Sequence, residues 1–388
     1  MKPPASKPRL PAAIYTIGAT SLLNDASSEM IFPLLPVFLS TVLGAGGATL
    51  GMIEGTADAA ASLLKLASGV LSDRMKRRKP LVVGGYLLAS LVRPLIGFAH
   101  SASTVLAIRV TDRLGKGLRS SPRDALIADT APRELHARAF GVHEAMDHAG
   151  AVVGPLLASL LLALGLHLRS IFLLAALPAV VACLVAVLFV REAPARPIQP
   201  APLAPVGPVL TRPFVAYLAA TVIFTLGNSS DAFLLLRVHD AGLPVQAAPL
   251  LWALHHVVKS VTSAKAGELA DRVGRRRALA LGWITYAGIY AGFAFARSTL
   301  AITSLFVVYG LHFALVGGAQ KALVADLIPV EARARGFGIY HLCIGLAALP
   351  ASILFGFLYQ ALGAAPAFLT GAALALAAVV LLPLSRRR

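Results

Sequence analysis

Apolar runs long enough to cross a lipid bilayer recur along the whole of this chain, and they decide most of what it can fold into. A helix needs about 20 residues to span the hydrocarbon layer. Inside that layer each backbone N–H and C=O must be satisfied within the structure, which helices achieve alone. About twelve such runs are legible, near 13–40, 48–71, 81–99, 104–128, 138–164, 168–190, 213–236, 246–269, 278–296, 299–326, 336–359 and 364–384. They predict an all-α integral membrane protein with twelve transmembrane helices. Only 14% of residues are charged and 57% are hydrophobic, against about 25% charged in soluble domains. The basic start of the chain leads into a long span rather than a short apolar stretch with a cleavage site, which speaks against a cleaved signal peptide. Cys183 and Cys343 both fall inside spans, so neither a disulfide framework nor a cysteine metal site is expected.

A net charge of +17 invites a nucleic-acid reading, and the distribution of charge removes it. With both termini on one side, the tails and the loops of that side hold 22 of the 35 basic residues, and the opposite loops hold three, Arg169, Arg237 and Arg297. That asymmetry is the positive-inside rule, and it places both termini in the cytoplasm. Ten basic residues remain inside spans and need another explanation.

The chain also repeats itself. Residues 125–141, ALIADTAPRELHARAFG, align without gaps to 322–338, ALVADLIPVEARARGFG, with ten of seventeen positions identical at an offset of 197. At an offset of 198, Gly69 to Arg74 aligns with Gly267 to Arg272, and SSEMIFPLL at 27–35 resembles SSDAFLLL at 229–236, pairing Glu29 with Asp231. Two six-span halves follow, 1–191 and 213–388, joined by a Pro-rich segment at 192–212 that favours extended polyproline II.

These residues resemble the major facilitator superfamily. Gly267-x-Leu269-x-Asp271-Arg272-x-Gly274-Arg275-Arg276 is similar to the signature that family carries between spans two and three and between eight and nine. The first copy, with Gly69, Asp73, Arg74 and Arg77, has Lys76 where the second glycine would stand. Arg109 with Gly115 and Gly117 resembles the fourth-span motif. Gly150-x-x-x-Gly154-Pro155 resembles the fifth-span motif of antiporters, with Ala158-Ser159 in place of its final glycines. NDASSE at 24–29 and DRLGKGLRSSPRD at 112–124 are most similar to a prokaryotic permease group with drug/proton-antiporter-like motifs. The resemblance implies twelve helices in two pseudo-symmetric bundles, with spans one, two, four and five lining a central cavity and three and six facing lipid. It also implies a latch at the cytoplasmic side, in which Asp73 and Asp271 lie at the positive N-terminal ends of neighbouring helices and the arginines bind carboxylates such as Asp129 and Asp326.

Charges inside the spans fit that arrangement. Each costs at least ~2.5–3.5 kcal/mol at the bilayer centre, so each needs a partner or water. Span four has the most: Arg109, Asp112, Arg113, Lys116, Arg119, Arg123 and Asp124. At about 100° per residue, the first six of these fall within an arc of roughly 120°, a stripe that a loop reading of 109–124 does not explain. Asp25 and Glu29 share a face of span one, and Glu54, Asp58 and Lys65 a face of span two. Span five has His143, Glu144, Asp147 and His148. Eight acids and seven bases inside the spans of the first half nearly cancel, so a paired network that fixes helix packing competes with direct contact to cargo. Candidate solute contacts are Asn24, Arg109, Asp112, Arg113, Lys116, Arg119, Arg123, His143, Asp147 and Asn228. Span four's excess of bases suits an anionic or zwitterionic solute. Candidate proton carriers are Asp25, Glu29, Glu54, Asp58 and Asp231, because an acid in apolar surroundings near a base can both gain and lose a proton. Glu29 ranks first for its counterpart Asp231. Gly150, Gly154 and Pro155 permit close helix approach and a bend.

LGKGLRSS lacks the spacing of a phosphate loop, HEAMDH sets its histidines about 140° apart on a helix, and His255 and His256 diverge. No metal, cofactor or nucleic acid is therefore expected, nor an enzymatic site. The expectation is a monomeric secondary transporter of the cytoplasmic (inner) membrane that moves a small organic solute by proton-coupled efflux. Proton-coupled uptake of an organic anion is the alternative, and a non-transporting receptor a more remote one. Membrane lipid and protons are the other expected partners.

Overall fold

The computed structural model describes residues 9–44, 47–75, 77–192, 209–228, 231, 233, 234, 237, 238, 241–243 and 248–385. Most of the Pro-rich segment expected at 192–212 lies outside these residues, as does the side chain of Glu54.

The principal helices are α1 (Ala12–Ile31), α2 (Gly47–Met75), α3 (Lys79–Phe98), α4 (Ala102–Thr130), α5 (His136–Ala163) and α6 (Leu168–Phe189). They continue as α7 (Arg212–Gly227), α8 (Ala248–Val273), α9 (Arg275–Phe295), α10 (Thr299–Leu327), α11 (Arg333–Leu362) and α12 (Ala364–Leu381). Seven helical segments among the described residues, α3, α5, α6, α9, α10, α11 and α12 with their short extensions, are long and apolar enough to cross a membrane. Helix α7 is apolar but shorter. The rest, α1, α2, α4 and α8, carry charged or polar faces that lower their hydropathy.

Two expected spans lose regular α geometry before their expected ends. Span one was expected to run to residue 40, but α1 stops at Ile31 and is followed by a 3-10 turn (Phe32–Leu34), one short helical turn and a π-helical turn (Phe38–Val42). Pro33 and Pro36 each remove a backbone donor and crowd the preceding turn, which breaks the α ladder there. Span seven was expected to reach residue 236, but α7 ends at Gly227, where Asn228 turns out of helical geometry (φ −95°, ψ 90°). Span four is one uninterrupted helix through its charged stretch, with Pro122 inside it.

Packing follows the repeat. Helix α1 packs on α5 and α6, α4 on α2 and α3, and α3 on α6. In the same pattern α7 packs on α11 and α12, α10 on α8 and α9, and α9 on α12. Between the two sets, α5 meets α8 and α10 while α2 and α4 meet α11. The second set is held by stacked rings, Phe224 on Trp283 at 5.0 Å and Tyr286 on Tyr290 at 4.0 Å. The outer surface is apolar: Leu91 on α3, Leu177 and Leu188 on α6, Phe295 on α9 and Val380 on α12 are all exposed. Such large exposed apolar areas belong against lipid. Buried Arg93 is the exception on α3 and points inward.

Candidate functional site

All the motif loops gather at one end of the molecule, the basic end. Asp73, near the end of α2, accepts the backbone N–H groups of Ala334 (3.1 Å) and Arg335 (2.7 Å) at the start of α11. Asp271, near the end of α8, accepts those of Ala137 (3.0 Å) and Arg138 (2.7 Å) at the start of α5. The first turn of a helix has four unpaired N–H groups and a partial positive charge, so each carboxylate caps a helix of the opposite set. Close approach depends on glycine. A Cβ on Gly69 would collide with the Ala334 carbonyl, and one on Gly267 with that of Ala137. At Gly274, φ is +97° between α8 and α9, a conformation that costs glycine least.

Arginines clamp the same end. Asp129 is held by Arg78 (2.7 Å) and by Arg333 (2.6 Å), and Arg78 reaches Asp73 as well (3.1 Å). Asp326 is held by Arg275 and Arg133, and Arg275 lies 3.4 Å from Asp271. Burial works against the charge of Arg78, but Asp129 and Asp73 outweigh it and hold its pKa above the ordinary arginine value. The motif had pointed to Arg74, Arg77 and Arg272. Among the described residues Arg74 and Arg77 make no ion pair, and Arg272 pairs only with Glu268 on its own helix. Arg78 takes their place because it sits in the turn before α3, which Glu192 also caps through the N–H groups of Arg78 and Lys79.

Higher in the molecule the charged face of α4 is largely consumed by neighbours. Arg93, 2% exposed, donates twice to Asp112 (2.9 and 3.0 Å) and also to the Asn24 carbonyl (2.9 Å) and side chain (3.2 Å). Arg109 faces Asp112 at 3.4 Å and the Phe32 ring. Arg113 lies 3.3 Å from Asp58, whose side chain is 68% exposed. Arg119 stacks on Tyr86 with its guanidinium carbon 4.6 Å from the ring centre. Arg123 bonds Ser21 (3.0 Å) and Asp124. Lys116 alone of the five bases on α4 is exposed, and it has no ion pair among the described residues. Its nearest charges include Arg113, Asp25, Arg119 and Asp58.

The candidate proton carriers differ in surroundings. Asp25 accepts a hydrogen bond from Asn24 (2.8 Å). Asp231 accepts one from Tyr309 (3.3 Å), which also reaches Asn228 (3.2 Å). Neither acid, nor Glu29, has an ion pair among the described residues. Glu29 sits where α1 meets α5, its Cβ against Gly154, and Gly150 backs onto Leu22. The charges around Glu29 include Asp25, Lys116 and Arg113. Pro155 lies within α5, which continues to Ala163. His143 and Asp147 approach to 3.6 Å.

Sequence reading left out four residues that matter to this geometry. Arg78 was hidden in a run of bases, and Arg93 sat in a span expected to face lipid. Lys321 and His341 bind Glu144 (2.6 Å) and Asp124 (2.8 Å) across the two sets of helices. The repeat offset that aligns the halves would have found both.

The chain matches the Major Facilitator Superfamily model over residues 17–320 and 239–388. It is 34% identical over 376 residues to an MFS-type transporter of Methanocaldococcus jannaschii, covering 95% of this chain and 94% of the relative. It is 24% identical over 332 residues to the multi-drug resistance efflux pump PmrA of Streptococcus pneumoniae, covering 82% of each. In fold it resembles the crystal structure of the human organic anion transporter MFSD10, with TM-score 0.77, 17% identity, and 97% of this chain and 100% of that one covered. Motif, packing and kinship agree: the chain is a membrane transporter of the Major Facilitator Superfamily.

Proposed function

We propose that the protein is a monomeric, proton-coupled exporter of a small organic solute in the cytoplasmic membrane, working by alternating access without enzymatic turnover. The two moving bodies are residues 1–191 and 213–388, joined at 192–212, with both termini cytoplasmic. The observation that carries this reading is the matched pair of caps, Asp73 on α11 and Asp271 on α5. Each cap joins opposite bodies through a few separable polar contacts, so the basic, cytoplasmic end can open and close while the bodies stay intact. Export is favoured by the efflux-pump relatives and by Gly150 and Gly154 at the α1–α5 contact. Lys116, exposed and without an ion pair among the described residues, favours an anionic or zwitterionic solute. The same lysine is what supports the second reading, uptake of an organic anion with protons.

Glu29 is the proposed proton carrier, because it has no ion pair among the described residues and lies close to the bases of α4. In proteoliposomes the Glu29→Gln variant is expected to retain solute exchange and to lose solute-dependent proton movement. A variant that still moved protons with its solute would remove Glu29 from that role.

A further inference from the structure

The repeat places four ionisable side chains in a relation that the motifs do not contain. Lys321 on α10 stands at the position equivalent to Asp124 on α4, at an offset of 197, and His341 on α11 at the position equivalent to Glu144 on α5. Across the two sets of helices, Asp124 receives a hydrogen bond from His341 Nε2 at 2.8 Å, and Glu144 receives one from Lys321 Nζ at 2.6 Å. The first pair maps onto the second when the halves are exchanged. Lys321 also lies 3.9 Å from Asp124, linking the four in the order His341, Asp124, Lys321, Glu144. Both acids come from one half and both bases from the other, so the contact is complementary rather than self-repelling. The four side chains are largely or fully buried, with exposures of 0% to 18%.

This row of four is a second layer above the caps. Asp124 and Lys321 each precede a clamp carboxylate, Asp129 and Asp326, by five residues, or about 7.5 Å along a helix. The two layers differ in chemistry. In the outer layer Asp73 and Asp271 bind backbone N–H groups, which neither titrate nor exchange partners with a solute. The inner layer is made of ionisable side chains alone. Arg123, His143, His148 and Lys65 stand around it, and among the described residues its contacts run from side chain to side chain. A proton arriving on an acid, or an anion arriving at Lys321, competes directly with a contact that joins the two bodies.

Building on the alternating-access reading above, we propose that Asp124, Glu144, Lys321 and His341 form an inner gate that breaks and re-forms in each transport cycle. Lys321, shared by two acids of the opposite body, is the residue through which the transported ion or solute acts on it. Removing Lys321 leaves Glu144 without its cross-body partner, and an uncompensated buried charge is costly unless water reaches it. Opening the cytoplasmic end supplies that water, so the variant favours the open form.

The test uses the full chain in lipid nanodiscs with Cys183→Ser and Cys343→Ser. Spin labels go on Glu134→Cys and Glu331→Cys, two exposed, repeat-equivalent positions before α5 and α11, and pulsed electron resonance reads the distance between them. Lys321→Met is expected to raise the long-distance to short-distance ratio at least tenfold over the parent. Lys321→Arg should stay near the parent, and Glu144→Gln with Lys321→Met should recover part of the short distance. If Lys321→Met does not fold, Glu144→Gln alone is expected to shift the ratio in the same direction by less, since Lys321 keeps Asp124 at 3.9 Å. An unchanged distribution in Lys321→Met, with a shift in Asp73→Asn plus Asp271→Asn, would overturn the inner gate and leave alternating access standing. One fixed distribution in every variant would overturn both.

Discussion

Asp73→Asn and Asp271→Asn, introduced together, are expected to depopulate the form closed at its basic end more than tenfold and to slow solute transport to match. Each aspartate accepts two backbone N–H groups from a helix of the other body, at 2.7–3.1 Å. Hydrogen bonds to a charged acceptor are worth roughly 1.5–3 kcal/mol each. Asparagine keeps one acceptor oxygen, loses the charge that favours the helix N-terminus, and offers an NH2 group where a second acceptor is needed. A loss of about 1.5 kcal/mol at each site sums to about 3 kcal/mol, and every 1.4 kcal/mol is tenfold. The two sites share no partner, so their effects should add, each single variant showing about half the shift of the double on a logarithmic scale. The distance between spin labels on Glu134→Cys and Glu331→Cys, read in the full chain in nanodiscs, measures it. Single variants equal to the parent would show that the caps do not hold that end shut.

The largest stability effect is expected at Asp112. Asp112→Asn leaves the Arg93 guanidinium buried with no carboxylate, because Asp112 is its only acidic partner among the described residues. Removing one member of a buried pair costs about 3–5 kcal/mol, and Asp112→Asn should lie at the upper end. Arg93→Met should cost less, since Asp112 retains Arg109 at 3.4 Å, although Asn24 then loses two donors. Thermal unfolding in detergent, followed by retention of a monodisperse species, gives the order. Equal midpoints for the two variants would show that Arg93 gains its stability elsewhere. The effect bears on transport too, because Asn24 is anchored by Arg93 and in turn holds Asp25.

Much of this architecture was legible before any coordinates. Apolar runs gave the spans, and the offset near 197 gave the two-fold arrangement that the packing repeats. The family signature singled out Gly69 and Gly267, which the structure sets at close helix contacts. The shortfalls have physical reasons. Pro33 and Pro36 were visible, but an apolar window does not register a lost backbone donor, so the change of helical geometry inside span one was not expected. For the charges on α4 the sequence left a paired network and contact with a solute both open, because their partners are distant in sequence: Arg113 faces Asp58 on α2, and Asp112 is bound from α3 and Asp124 from α10 and α11. Arg93 was discounted because span three was expected to face lipid, and a helix with one lipid face still has an inner one. Arg78 displaced Arg74 and Arg77 because the turn before α3, not the motif register, decides which guanidinium points at Asp73 and Asp129.

The central claim is that an ion gradient drives solute movement through this protein. The most direct measurement reconstitutes the full chain in liposomes with an internal pH-sensitive dye and adds, one at a time, a panel of small organic anions, zwitterions and hydrophobic drugs. The account predicts that at least one compound moves protons across the bilayer only when the protein is present, and that an imposed pH gradient drives its accumulation until a protonophore collapses the gradient. Solute movement of equal rate with and without the gradient, across every compound that moves at all, would contradict it.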